Sequence, residues 1–242
     1  MDSHIYSEKV FGSLKRHLDD MSKKSISYPR FIFLCGKEKK SDTYDKTNRG
    51  IVENYFKKDG KDKYTVVLSE NLWEDAFSSK TDLLTFEIFL AEISDYIILF
   101  PESPGSFCEL GAFSYGDDVF GKKLIIVNDE KYRNSQSFIS TGAIKKAESN
   151  GAKIIYSDLN GALLSTKELR SQLKQIVESG DKMLLPKNDT SSGKTLLNIH
   201  SFIVELLELI KLLEPIESKD LIEIYKRLKG IESFSFANKN DK

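Results

Sequence analysis

Ile97-Ile98-Leu99-Phe100-Pro101-Glu102-Ser103-Pro104-Gly105-Ser106-Phe107-Cys108-Glu109-Leu110-Gly111-Ala112-Phe113 is the stretch whose reading decides the fold. Asp95 to Phe100 is a short, nearly continuous apolar run, the pattern of a parallel strand covered on both faces. Pro101 and Pro104 end that strand, and Gly105 lets the backbone turn sharply. A helix follows. Ser106 suits its N-cap, and Glu109 stands three residues later, at capping-box spacing. The same carboxylate also lies just past the carboxyl end of a strand, where open α/β sheets bind ligands. Spacing leaves both readings of Glu109 open.

Upstream, Thr81–Ser94 reads as an amphipathic helix with Leu84, Ile88 and Ala91 on one face. Tyr64–Ser69 is a second strand, followed by a loop, Glu70–Lys80, whose Trp73 reads as packing under the loop, with stacking on a base the alternative. Arg30–Gly36 is a first strand ending in glycine, and after the polar loop Lys37–Thr43 a helix covers Tyr44–Lys57. Downstream come a helix over Ser106–Asp118, strands at Lys123–Asn128 and Ala152–Tyr156, and a helix over 165–179. Strands alternating with helices predict an α/β fold: a doubly wound, mostly parallel, Rossmann-like sheet of about five strands.

The sequence divides into an N-terminal helical segment (1–29), an α/β domain (30–180), a turn-rich linker (181–195) and a C-terminal helical extension (196–242). In the first segment Val10, Phe11, Leu14, Leu18 and Met21 share a face. In the last, a helix over Leu196–Leu213 carries a wide apolar stripe of Ile199, Phe202, Ile203, Leu206, Leu209, Ile210 and Leu213. Such a stripe either packs on the chain's own sheet or marks an interface, which makes a homo-oligomer one expectation.

A net charge of −1 supplies no global basic field for nucleic acid or membrane. The lysine clusters at 37–40, 57–63 and 122–123 are mixed with acids and read mostly as solvated surface, with contact to a phosphate backbone the alternative for one of them. Cys35 and Cys108 both sit in apolar strings, which fits a reducing compartment better than a disulfide framework. No signal peptide and no apolar run near about 18 residues is visible, so a cytoplasmic protein is expected. His4, His17 and His200 show no zinc spacing with the cysteines, so no metal is expected. Ser192-Gly193-Lys194-Thr195 echoes the end of a P-loop, but Asn188 stands where its first glycine belongs. Gly36 likewise lacks the following glycines of a dinucleotide fingerprint; it is either a turn or a place where phosphate or ribose approaches.

Residues 100–113 resemble the active-site segment of the nucleoside deoxyribosyltransferase-like effectors of bacterial retrons. Gly105 to Gly111 is similar to the shorter Gly-x-x-x-Glu-Leu-Gly signature of nucleoside 2-deoxyribosyltransferases. The likeness runs from about Arg30 to Lys146 and includes the strand end Phe33-Leu34-Cys35-Gly36 and the segment Ser137–Gly142. It implies an enzyme that cleaves or transfers at an N-glycosidic bond, with NAD, free nucleotides and bases in DNA all candidate substrates. No cofactor is implied, and NAD would enter only as substrate. Glu109 takes the place of the essential carboxylate, and Glu87 matches a carboxylate that assists the leaving base. Two carboxylates suit that chemistry, although Glu87 alone also reads as a solvated helix residue. Ser103, Gly105 and Ser106 are candidates for ribose or phosphate at a helix N-terminus, with turn-and-cap chemistry the alternative. Asn128 and Asp129 end the fourth strand at the same edge, as ligand contacts or as turn residues. The resemblance further implies the toxic arm of an anti-phage system, partnered by a reverse transcriptase and its multicopy single-stranded DNA. Effectors of that type continue into a winged-helix region, for which the tail here is too short to be complete. A non-catalytic nucleotide sensor and a nucleoside-salvage enzyme are the rival readings.

Overall fold

The computed structural model describes residues 7–23, 29–37, 44–59, 63–72, 82–116, 118–159, 163–179, 195–197, 199–231 and 234–236. In chain order the helices are α1 (Glu8–Lys23), α2 (Asn48–Asp59), α3 (Leu83–Ile93), α4 (Pro104–Tyr115), α5 (Asp118–Lys123), α6 (Lys145–Ser149), α7 (Leu163–Ser179), α8 (Ile199–Leu213) and α9 (Ser218–Lys229). The strands are β1 (Arg30–Cys35), β2 (Tyr64–Val67), β3 (Tyr96–Leu99), β4 (Leu124–Asp129), β5 (Lys153–Ser157), β6 (Thr195–Leu197) and β7 (Phe234–Phe236). They fall into two compact units, Pro29–Gly180 and the pairing of Met1–Tyr28 with Asp181–Lys242. No helix among the described residues is long and apolar enough to cross a membrane.

The larger unit is the expected α/β fold. Its five strands run in the order β2-β1-β3-β4-β5, all parallel. The near-continuous apolar runs of β1, β3 and β4 follow from this arrangement, because both faces are covered. Phe33, Ile97, Leu99 and Ile126 join Phe86 and Leu90 of α3 and Leu110 and Phe113 of α4 in one core. Ile32, Leu34, Ile98 and Val127 join Val52 and Phe56 of α2 and Leu169 and Leu173 of α7 in another. The strand order reverses between β1 and β3, whose ends Cys35 and Leu99 lie in register. Carboxyl ends at such a reversal open a crevice where ligands bind.

Two local expectations are corrected, and both corrections reposition a carboxylate. Helix α4 begins at Pro104 rather than Ser106, because proline fits the first helical position, where no N–H partner is required. Ser103 is therefore the N-cap. Its hydroxyl accepts from the Ser106 amide, and the Ser106 hydroxyl accepts from the Ser103 amide at 2.9 Å, closing the capping box without Glu109. On α3, Leu84 is 58% exposed, and the inward face carries Phe86, Glu87, Leu90 and Ala91. The sequence Leu83-Leu84-Thr85-Phe86-Glu87-Ile88-Phe89-Leu90-Ala91 is apolar nearly all round, so periodicity alone could not choose the face. Glu87 is thus a buried residue, not a solvated one.

The smaller unit also departs from expectation. Residues 195–197 form a strand paired in parallel with β7, so the predicted single helix from Leu196 begins at Ile199 instead. Phe202, Leu209 and Leu213 of its stripe are buried against Phe11, Leu14, Leu18 and Met21 of α1 and Leu221, Ile224 and Tyr225 of α9. From Phe202 to Leu213 the stripe is therefore core, covered by α1 and α9, and it no longer argues for an interface. Glu205 is held inside this unit by the Tyr225 hydroxyl at 2.8 Å and the Lys229 ammonium at 2.7 Å. Trp73 and most of the proposed linker lie outside the described residues.

Candidate active site

At the end of β1, Gly36 takes φ +155°, and a Cβ there would stand 3.2 Å from Phe100 Cβ and 3.4 Å from Arg49 Cδ. Close backbone packing is reason enough for glycine here, which favours the turn reading. The neighbour that crowds it is a residue sequence reasoning missed. Arg49, at the start of α2, is 3% exposed and donates to the Leu34 carbonyl at 3.0 Å and the Lys37 carbonyl at 3.1 Å. Its two terminal nitrogens fork onto the Glu70 carboxylate at 2.7 and 2.8 Å. Glycine at position 50 permits this placement, since a Cβ there would fall 2.1 Å from the Tyr44 carbonyl oxygen.

Glu87 from α3 and Glu109 from α4 stand close enough for each carboxyl to shift the acidity of the other, and Ser69 stands beside Glu87. Burial pushes the Glu109 carboxyl up to about 8, and the charge of Glu87 beside it adds to the rise. Burial likewise raises Glu87, while its hydrogen bonds to Ser69 and Glu109 pull the other way. Arg49 lowers both. Glu109 Oε2 is shut off from water and receives no bond from an ordinary donor among the described residues. Two carboxyls that burial raises together favour holding one proton between them over ionising together. Cys35 shares this environment: burial first, then the charges of Glu109 and Glu87, hold its thiol protonated.

The remaining candidates are not drawn into that pair. Ser103 and Ser106 spend their hydroxyls on the α4 cap, while Gly105 is open, with no heavy atom within 4 Å of a Cβ built there. Asn128 and Asp129 line a cavity of about 410 Å³ together with Glu102, Phe107 and Tyr132; Glu87 and Glu109 do not line it. Asp129 accepts from the Lys131 amide and pairs with its ammonium at 3.0 Å, so part of its role is to end β4.

Buried Glu87 and half-buried Glu109 come from the helices that precede and follow β3, and two carboxyls so placed can exchange a proton. Residues 45–240 match the family of the STM3845 retron effector protein. The chain belongs to that family. Two Escherichia coli proteins are similar to this retron effector. “Retron Ec73 putative ribosyltransferase/DNA-binding protein” is 31% identical over 222 residues, covering 84% of this chain and 68% of the relative. “Retron Ec86 putative ribosyltransferase/DNA-binding protein” is 36% identical over 127 residues, covering 52% of this chain and 39% of the relative. Arg49, Glu87 and Glu109 of this retron effector all fall within the family match.

Proposed function

We propose that this retron effector breaks an N-glycosidic bond of a nucleotide, using Glu109 and Glu87 as the reacting carboxylates. The single observation that carries the reading is the meeting of the Glu87 and Glu109 carboxyls, with Glu109 Oε2 shut off from water. Two adjacent carboxyls that hold one proton between them supply an acid and an anion at the same pH. In the proposed step Glu109 passes its proton to Glu87 as substrate binds. Glu87 gives that proton to the departing base, which leaves with the electron pair of the C–N bond. The Glu109 carboxylate then faces the electron-poor anomeric carbon and bonds to it or stabilises it until water or another acceptor takes the sugar. Arg49 keeps the anionic stage accessible by opposing the summed charge of Glu70, Glu87 and Glu109. The ribosyltransferase in the relatives' names supports this class of reaction, as does the resemblance of residues 100–113 to deoxyribosyltransferase active sites.

Membership of the family supports a place in retron-based anti-phage defence, as a toxic arm working with a reverse transcriptase and its multicopy single-stranded DNA. Association of copies of the chain belongs to the same proposal. The test is product analysis: the full chain, with and without its retron partners, is incubated with NAD, nucleotides, nucleosides and single-stranded DNA. Free base, released with an equal amount of sugar product, is the expected result. Tight nucleotide binding with no base released under either condition would favour the sensor reading.

A further inference from the structure

Past the end of β4 the chain runs through a short turn, Glu130–Tyr132, into a π-helical segment, Ile139–Ile144, a rare geometry found mostly at functional sites. Two cavities open along this stretch, of about 410 Å³ and about 340 Å³, and each is of ligand size. Ser135 and Ser140 line both, so the two are neighbouring stations of one groove. Glu87 and Glu109 line neither.

The groove presents flat groups to water. Phe107 and Tyr132 line the larger cavity and are 40% and 47% exposed. In the smaller cavity the Arg133 guanidinium lies over the Tyr156 ring, 4.4 Å from its centroid. Phe138, between the wall residues Ser137 and Ile139, is 85% exposed, with its ring against Gly142. Single exposed rings are ordinary, but several around one groove mark a binding surface. Cations are interleaved with them: Lys131 stands over the Tyr132 ring, and Lys145 lines the smaller cavity with Ser140 and Thr141. Most acids of the groove are engaged, Asp129 with Lys131, Glu130 with Arg133, and Glu102 with Asn48, while Glu148 lines the smaller cavity. The Arg133–Glu130 pair is half-exposed on both sides, and pairs of that kind are weak, so the guanidinium can turn to an incoming phosphate at little cost.

We infer that this groove binds single-stranded nucleic acid, with bases stacked on Phe107, Tyr132 and Phe138 and phosphates held by Arg133 and Lys145. Aromatic platforms interleaved with cations are how proteins hold unpaired strands. Two ligand-sized stations in a row, with a further open ring beside them, exceed what one nucleotide fills and favour a strand. Walls of mixed charge make stacking the larger part of the hold. The inference rests on the proposal that single-stranded DNA is a partner of this effector, and it names the face that receives the strand.

The test is fluorescence anisotropy with labelled oligodeoxythymidine and oligouridine of about twelve nucleotides, within the usual span of such sites. The full chain carries Glu109→Gln, so that no base is removed. Binding of either strand supports the inference, and the tighter of the two identifies the source. Log affinity should fall against log salt with a slope of about −1.4, the worth of two phosphates on a single strand. Tyr132→Leu and Phe138→Leu, changes at exposed rings, should each weaken binding about tenfold and leave the slope unchanged. Arg133→Gln combined with Lys145→Gln should flatten the slope. No binding of either strand, affinity indifferent to both ring variants, or thymidine monophosphate competing as well as the strand would each overturn the inference. Binding is read without turnover, so failure here leaves base release from free nucleotides by the parent chain standing, and the reverse also holds.

Discussion

Glu109→Gln is expected to reduce base release by at least about a thousandfold, as removal of a reacting carboxylate does elsewhere. Glutamine keeps the volume and one acceptor oxygen but can neither give up the shared proton nor become an anion facing the sugar. The fold should not suffer. Glu109 is pushed up to about 8, so the folded chain holds a proton there that the unfolded chain has released by neutral pH. Linkage then makes the stability contribution of Glu109 fall as pH rises from the ordinary carboxylate range to about 8. The variant lacks that loss, and its thermal midpoint at pH 7.5 should equal or exceed that of the parent. Lower stability together with lost turnover would instead mean that Glu109 is structural. Glu87→Gln should show the same direction in turnover, because the proton of Glu109 then has no carboxylate to carry it to the base.

Arg49→Ala is expected to cost about 3 kcal/mol of stability, in the range for breaking a buried ion pair from one side. The side chain ties the Leu34 and Lys37 carbonyls at the end of β1 to the Glu70 carboxylate, and all three lose a donor at once. A chemical lesion should accompany the structural one. Arg49 opposes the upward shift of Glu109, so its removal should move the alkaline limit of activity to higher pH. Arg49→Lys, which keeps the charge but not the fork, should recover most of that pH shift and only part of the stability. Denaturant melts and pH–rate profiles on the two variants separate these effects.

The parallel sheet was legible because β1, β3 and β4 are apolar without interruption, and Pro101 and Gly105 punctuate the chain where the strand gives way to a helix. Glu109 was legible through its place in residues 100–113, although its local spacing suggested a cap that Ser103 provides instead. Glu87 was legible only as a position. That it is buried depends on which face of an almost wholly apolar helix turns inward, a matter decided by tertiary packing. Arg49 left no signal, because its partners Leu34, Lys37 and Glu70 are brought to it by the crossing of β1, α2 and the turn after β2. The stripe of α8 misled for a related reason. Part of its cover comes from α1, nearly two hundred residues earlier in the chain, and local periodicity cannot report on a partner so distant. Glu102 stood in plain view beside Pro101, but its unpaired oxygen is visible only once Asn48 is seen to hold the other.

The most direct measurement is the rate of base release from pH 5 to 9, for the parent chain and for Glu109→Gln side by side. A pair that works with one proton needs Glu87 ionised and Glu109 protonated before substrate binds. The parent rate should therefore rise as Glu87 ionises and fall as Glu109 loses its proton through about pH 8, while the variant releases no base at any pH. Equal release by the variant, or a parent rate that runs flat from pH 7 to 9, would contradict the assignment of the chemistry to this pair.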